Sequence, residues 1–219
     1  MRAPSKTALF ASATRWDAAE VKALLKAAPE LVTATDPRGR MALHLACAVK
    51  PGRAVKPGRG KLGEPNGIRT VTTLLEAGAP LEAEVPMPAE EGDFRATPVW
   101  HAVSRGENLA LVRFLLKRGA DASYSLWAAV FRDDATVCRA LLATKPRLDL
   151  QAHGETPIFT AARLKRLKTL DLLIEAGADP SIKDPRGRDA VDIARARRLP
   201  KEVIARLESL RARPRPKRK

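Results

Sequence analysis

The stretch Thr156-Pro-Ile-Phe-Thr-Ala161, followed by Leu172-Leu-Ile-Glu175 and then Gly177-Ala-Asp179, decides how the chain is read. A hydroxyl residue and a proline start a helix, because proline has no N–H to lose at the first turn and the hydroxyl can accept a free backbone N–H. A second apolar helix ends on a glycine, the residue that most easily takes the left-handed conformation that stops a helix. The first motif recurs at Thr7-Ala-Leu-Phe-Ala-Ser12, Met41-Ala-Leu-His-Leu-Ala46, Thr97-Pro-Val-Trp-His-Ala102 and Tyr124-Ser-Leu-Trp-Ala-Ala129. The second recurs around Leu24-Leu25, Leu74-Leu75, Leu115-Leu116 and Leu141-Leu142. It runs into Gly78-Ala79 and Gly119-Ala120 in two cases and into Pro29 or Pro146 in the others. Asp17-Ala-Ala-Glu20 has the spacing of a capping box for the second helix of the first unit.

Five such hairpins in register resemble the ankyrin-repeat family, whose pattern is Thr-Pro-Leu-His-x-Ala followed by Leu-Leu-x-x-Gly-Ala-Asp. Arg40-Met-Ala-Leu-His-Leu-Ala46 is the best single match, and the identical pentapeptides Asp36-Pro-Arg-Gly-Arg40 and Asp184-Pro-Arg-Gly-Arg188 fit the family's finger turns. The resemblance implies an all-α ankyrin-repeat solenoid of stacked helix-turn-helix units with short β-hairpin fingers. Fingers and first helices would line a concave face, with second helices behind. It also implies a structural role for His44, bridging backbone groups of adjacent repeats.

Spacing departs from the family period of about 33 residues. Steps between Leu pairs are 50 (25 to 75), 41 (75 to 116), 26 (116 to 142) and 32 (142 to 174). The long first step places an insertion at residues 50–66, and the second an enlarged finger at 82–94. The short third step implies that Gly119-Ala-Asp-Ala-Ser123 runs into the next helix without a finger. Residues 1–210 are expected to form about six units, the last a cap at 190–210 that is polar on one side. The tail at 211–219 is expected to be disordered.

The net charge of +15 is unevenly spread. The insertion carries +4 and the tail +6, leaving +5 on the body. The insertion repeats Val-Lys-Pro-Gly-Arg at 49–53 and 55–59, too rich in proline and glycine for a regular helix. It reads either as a solvated loop or as an anion-contacting arm. Cys47 and Cys138 sit among small or apolar neighbours and read as reduced, buried thiols. No signal-peptide run or membrane-length apolar stretch is present, so a cytoplasmic monomer is expected.

No nucleophile elbow, phosphate loop or dinucleotide fingerprint is found, and no catalytic residue or cofactor is expected. His44, His101 and His153 lack metal-ligand spacing. Phe10, Trp100, Trp127 and Phe159 occupy the slot of His44 and read as a packing ladder. Aligned on the first motif, Arg15, Arg105, Arg132 and Arg197 fall at one position near the end of the first helix. Arg163 lies one position earlier, and Val49 breaks the row. With finger arginines Arg38, Arg40, Arg186 and Arg188, and with His101 and His153 placed beside the groove, these form a candidate surface for an acidic protein partner, since guanidinium forks pair two-pronged with carboxylates. Asp17, Glu107, Asp133 and Asp134 follow the row closely, so local ion pairs compete with that use. The missing finger splits the expected surface into two patches, one on repeats one to three and one on repeats five and six. The alternative is nucleic-acid binding, with loop and tail gripping phosphates.

Overall fold

In the computed structural model, residues 3–52, 64–85 and 95–212 are described, with 64 and 65 by backbone alone. Among them are twelve α-helices, namely α1 Lys6–Thr14, α2 Ala18–Ala27, α3 Ala42–Cys47, α4 Glu64–Glu76, α5 Pro98–His101, α6 Leu109–Lys117, α7 Ser125–Arg132, α8 Ala135–Leu142, α9 Pro157–Arg163, α10 Leu167–Glu175, α11 Ala190–Ala196 and α12 Lys201–Arg211. The fold is an all-α ankyrin-repeat solenoid: helical hairpins joined by short turns, with isolated bridges Thr35–Met41, Val85–Ala96 and Ala152–Glu155 at the fingers and no extended sheet among the described residues. The insertion and the enlarged finger lie mostly outside the described residues, as does the tail beyond 212. Helix α4 begins at Glu64, inside the span assigned to the insertion.

The described residues fall into two compact units, 3–52 with 64–85 and 95–125, and 126–212. In the first unit α1 packs on α2 and α3, α2 on α4, and α3 on α5. Leu9, Leu43, Leu74, Leu111 and Leu115 are fully buried there. In the second unit α9 packs on α11 and α10 on both α8 and α12. Its core joins Val130, Ile158, Phe159, Leu170, Leu173, Val191 and Leu207. The polar helix α12 buries only Leu207 fully, with Val203, Ile204 and Leu210 partly covered.

Two devices recur at the helix ends. Second helices end on Gly78, Gly119 and Gly177 at φ near +90°, and the following alanine N–H donates back to the leucine five residues earlier. First helices end on a left-handed residue that is not glycine in five hairpins: Trp16, Glu107, Asp133, Lys165 and Arg198. Side chains disfavour that conformation by about 1–2 kcal/mol. Lys165→Gly is therefore expected to raise unfolding stability by about 1 kcal/mol, read as a higher urea midpoint at unchanged slope.

Second helices start on side-chain caps in three hairpins: Asp17 accepts from the N–H of Glu20, Asn108 from that of Leu111, and Asp134 from those of Thr136 and Val137. The capping box at Asp17 is half realised, since Glu20 turns its carboxylate to Arg15 instead. The cap of α1 is Ser5, not Thr7, which lies exposed inside the helix. As the spacing implied, Gly119 leads into α7 with no finger. Asp121 takes the N–H and hydroxyl of Ser123 on one carboxylate oxygen, and Asp179 does the same for Ser181 before the last finger.

Repeat three holds a one-residue irregularity. Residues Ala102–Gly106 form a π-helical turn, and the closing Asn108 N–H reaches back to the oxygen of Ala102. Gly106 sits against the end of α3: a Cβ built there would lie 2.3 Å from the carbonyl oxygen of Cys47. The extra residue swings the helix end onto its neighbour, and only glycine permits that approach.

Candidate functional site

The two identical pentapeptides fold identically. Asp36 N–H donates to the oxygen of Arg40, and Asp36 Oδ1 accepts the N–H groups of Arg38 and Arg40. Asp184 makes the same bonds with Arg188 and Arg186. The guanidinium of Arg40 closes onto Asp36 at 2.7 Å and that of Arg188 onto Asp184 at 2.6 Å. Burial alone would raise the Asp36 carboxyl, but hydrogen bonds from Arg40 and Arg38 outweigh it and hold the group below its ordinary range. For Asp184 the Arg188 side-chain bond dominates in the same direction. Arg40 and Arg188 are therefore staples of their own fingers, while Arg38 and Arg186 stand exposed. Asp36→Ala is expected to cost about 1–2 kcal/mol by releasing these N–H groups, measurable as a lower urea midpoint.

The first-helix row also divides. Arg15 pairs with Glu20 at 2.7 Å and Arg163 with Glu155 at 2.7 Å. The acids expected to neutralise the row are used elsewhere. Asp17 and Asp134 cap helices, Asp133 accepts the N–H and hydroxyl of Thr169, and Glu107 pairs with Lys50. Arg105 and Arg197 are exposed, and among the described residues neither has a side-chain ion pair, nor do Arg38 and Arg186. Arg132 is exposed as well. Counted from the helix end, the π turn sets Arg105 level with Arg163, two residues before the left-handed position, while Arg15, Arg132 and Arg197 lie one residue before it. The single row of the sequence is two rows.

His153 is exposed at the tip of the finger in repeat five, in a left-handed conformation. That finger is locked to the next one: Gln151 Nε2 donates to the oxygens of Gly154 and Lys183, and Gly154 abuts Pro185.

His101 corrects the expectation of a groove-facing imidazole. It is 6% exposed, with ring-edge contacts to His44 and Trp100. The same position is buried at Ala128 and Thr160, in helices without a π turn, so His101 points inward as they do, and Trp100 is half-covered. Trp127 and Phe159 are buried as a packing ladder requires. His44 does bridge backbone groups. Its Nδ1 accepts the Met41 N–H, which leaves Nε2–H to donate to the oxygen of Ala83 at 2.8 Å. Cys47 and Cys138 are fully buried. Burial pushes both thiols up, Cys138 to about 12, so neither is a thiolate at neutral pH. Among the described residues no group of three or more His, Cys, Asp and Glu is placed to hold a metal ion, and no helix is long and apolar enough to cross a membrane.

The comparisons agree with this architecture. The family model for ankyrin repeats (three copies) matches residues 99–184. An ankyrin repeat domain from Acinetobacter baumannii AYE superposes with a TM-score of 0.69 at 23% identity, covering 94% of this chain and 98% of that one. The ankyrin repeat domain of Bcl-3, described as a unique member of the IkappaB family, gives 0.60 at 22% identity over 94% and 100% of the two chains. A chain from the complex of the Bdellovibrio bacteriovorus predatory endopeptidase Bd0816 with immunity protein Bd3460 gives 0.62 at 24% identity over 92% and 97%. The fold defines a repeat scaffold of the kind that serves protein–protein interaction and is typically not catalytic. Residues 99–184 match the ankyrin-repeat family, and the fold of the described residues is that of an ankyrin-repeat solenoid.

Proposed function

We propose that this chain binds an acidic protein through arginines on its fingers and first helices. The observation that carries the reading is the division of the arginines. Arg40, Arg188, Arg15 and Arg163 are held by carboxylates of the chain itself, whereas Arg38, Arg105, Arg186 and Arg197 stand exposed with no such pair among the described residues. A guanidinium without an internal partner keeps its donor fork for a carboxylate brought from outside. Asp36 and Asp184 fix the fingers that carry Arg38 and Arg186, so little ordering cost falls on binding. His153 on its finger and Arg132 at the end of α7 are exposed as well.

The test is affinity purification with the full chain, followed by titration of the recovered protein against Arg38→Glu/Arg105→Glu and Arg186→Glu/Arg197→Glu variants. Each pair is expected to weaken binding about tenfold or more, with reduced salt dependence. Unchanged affinity in both variants, or a recovered partner with no acidic surface, rejects the reading.

A further inference from the structure

Among the described residues the exposed large apolar side chains are Phe131, at 52% exposure, and Leu167, at 37%. They are far apart in sequence but close in the fold. Phe131 is the penultimate residue of α7 and Leu167 the first of α10. Two residues beyond each, Asp133 Oδ1 accepts the N–H and hydroxyl of Thr169, at 3.0 and 3.1 Å. That bond ties the end of α7 to the first turn of α10 and sets both apolar side chains on the turn edge of the second unit.

The next two turns along that edge are basic. Residues 164–168 carry Lys165 and Lys168, and residues 195–201 carry Arg197 and Arg198, and neither segment contains an acid. All four of these cations are exposed. The two turns lie side by side, because α9 packs on α11 and α10 on α12. They also share one geometry: Lys165 and Arg198 take the left-handed position, and Arg166 and Leu199 donate to the oxygens of Ala161 and Ala194. Elsewhere an acid or amide begins the second helix, at Asp17, Asn108 and Asp134. Here Arg166 and Pro200 take that place, so the turns have lost the residue that would have offset their charge.

We infer that this edge is the docking surface for an acidic protein segment carrying an apolar side chain, with Phe131 and Leu167 as its anchors and Lys165, Lys168, Arg197 and Arg198 as its charged rim. The inference rests on the acidic-partner reading and moves its centre from the groove to the turns. An apolar anchor enclosed by polar groups is the usual layout of a binding hot spot. A nucleic acid does not match it, since Leu167 has no ring on which a base could stack. An anionic lipid surface does not match either. Among the described residues Phe131 and Leu167 are only two apolar side chains, where a segment lying on a membrane inserts a whole apolar face.

The probe is a random-peptide phage library panned on the full chain, with affinities of the selected peptides measured by fluorescence anisotropy. Expected winners are acidic and carry at least one large apolar residue. Their affinity should fall about tenfold or more in Phe131→Ser/Leu167→Ser and in Arg197→Glu/Arg198→Glu, while Lys22→Glu/Lys26→Glu on α2, with the same change of charge, leaves it unchanged. The substituted residues are exposed, and an unaltered circular dichroism melt confirms that each variant is folded. Acidic winners that ignore the turn substitutions but are lost with Arg38 and Arg105 overturn this inference and leave the acidic-partner reading standing. Winners without acidic character overturn both. Phosphatidylserine vesicles or single-stranded DNA bound through Phe131 and Leu167, with the peptides indifferent to them, overturn the choice of a protein as occupant.

Discussion

Trp16→Ala is expected to lower the unfolding free energy by about 4 kcal/mol. Trp16 is 1% exposed although it sits in a turn, between α1 and α2. Its indole Nε1–H donates to the oxygen of Ala46 at 2.9 Å, where α3 ends. On another side it meets the start of α4: a Cβ added to Gly67 would lie 2.8 Å from its Cε2 atom. One side chain therefore joins the first hairpin to both helices of the second. Truncation leaves a ring-sized cavity and an unpaired carbonyl, and the two losses add. Urea unfolding followed by circular dichroism measures the change. Trp16→Phe should cost about half as much, because it keeps most of the apolar volume and gives up the hydrogen bond. A loss below about 1 kcal/mol for Trp16→Ala would mean that the indole does not join the two hairpins.

That arrangement bears on what could be read from the sequence. The repeat, its glycine stops and the absent finger are local or periodic features, governed by residue types a few positions apart, and each was visible. The finger pentapeptides were visible as motifs, but their meaning changed. Asp36 and Asp184 were read as part of an arginine-bearing turn, and they prove to hold two of those arginines for themselves. The pairing partners of Arg15 and Arg163 were missed for different reasons. Asp17, the acid nearest after Arg15, is claimed by helix capping, which leaves Glu20; no acid follows Arg163 closely, and Glu155 reaches it from the finger before its helix. The left-handed position at Trp16 gives no sequence signal, since tryptophan is not a residue that favours it.

The π turn did leave a trace. From the last residue of the first motif to the first leucine of the pair the distance is 12 residues in repeats one, four and five (12 to 24, 129 to 141, 161 to 173). In repeat three it is 13 (102 to 115). A single added residue must be absorbed somewhere between, and a π turn absorbs it at small cost to the helix. The alignment of Arg105 with Arg15 and Arg132 counted forward from the motif and so ran across that residue.

The second large effect appears in acid. Equivalent positions to His101 hold Ala11, Leu45, Ala128 and Thr160, none of which titrates. His101 is buried, and neither ring nitrogen has a hydrogen-bond partner among the described residues. Burial lowers its pKa first, and the charges of His44, Arg40 and Arg105 lower it further, against a smaller opposing pull from Asp36, to about 3 from an ordinary 6.5. In the unfolded chain the imidazole binds a proton below about pH 6.5, and in the folded chain it does not until about pH 3. Between those values the unfolded state holds more protons, so stability falls as pH falls, by about 1.4 kcal/mol per unit. From pH 7.5 to 4.5 the first unit should lose about 3 kcal/mol through this residue alone. His101→Leu removes the proton site and the two unpaired polar atoms together. It should gain about 1 kcal/mol at pH 7.5 and flatten the acid limb. Urea unfolding of both proteins at pH 7.5 and 4.5 isolates the term, because carboxylates and His44 contribute alike to each. Parallel acid limbs for the two proteins would mean that His101 is charged or solvated in the folded chain, and the inward turn of this helix would have to be abandoned.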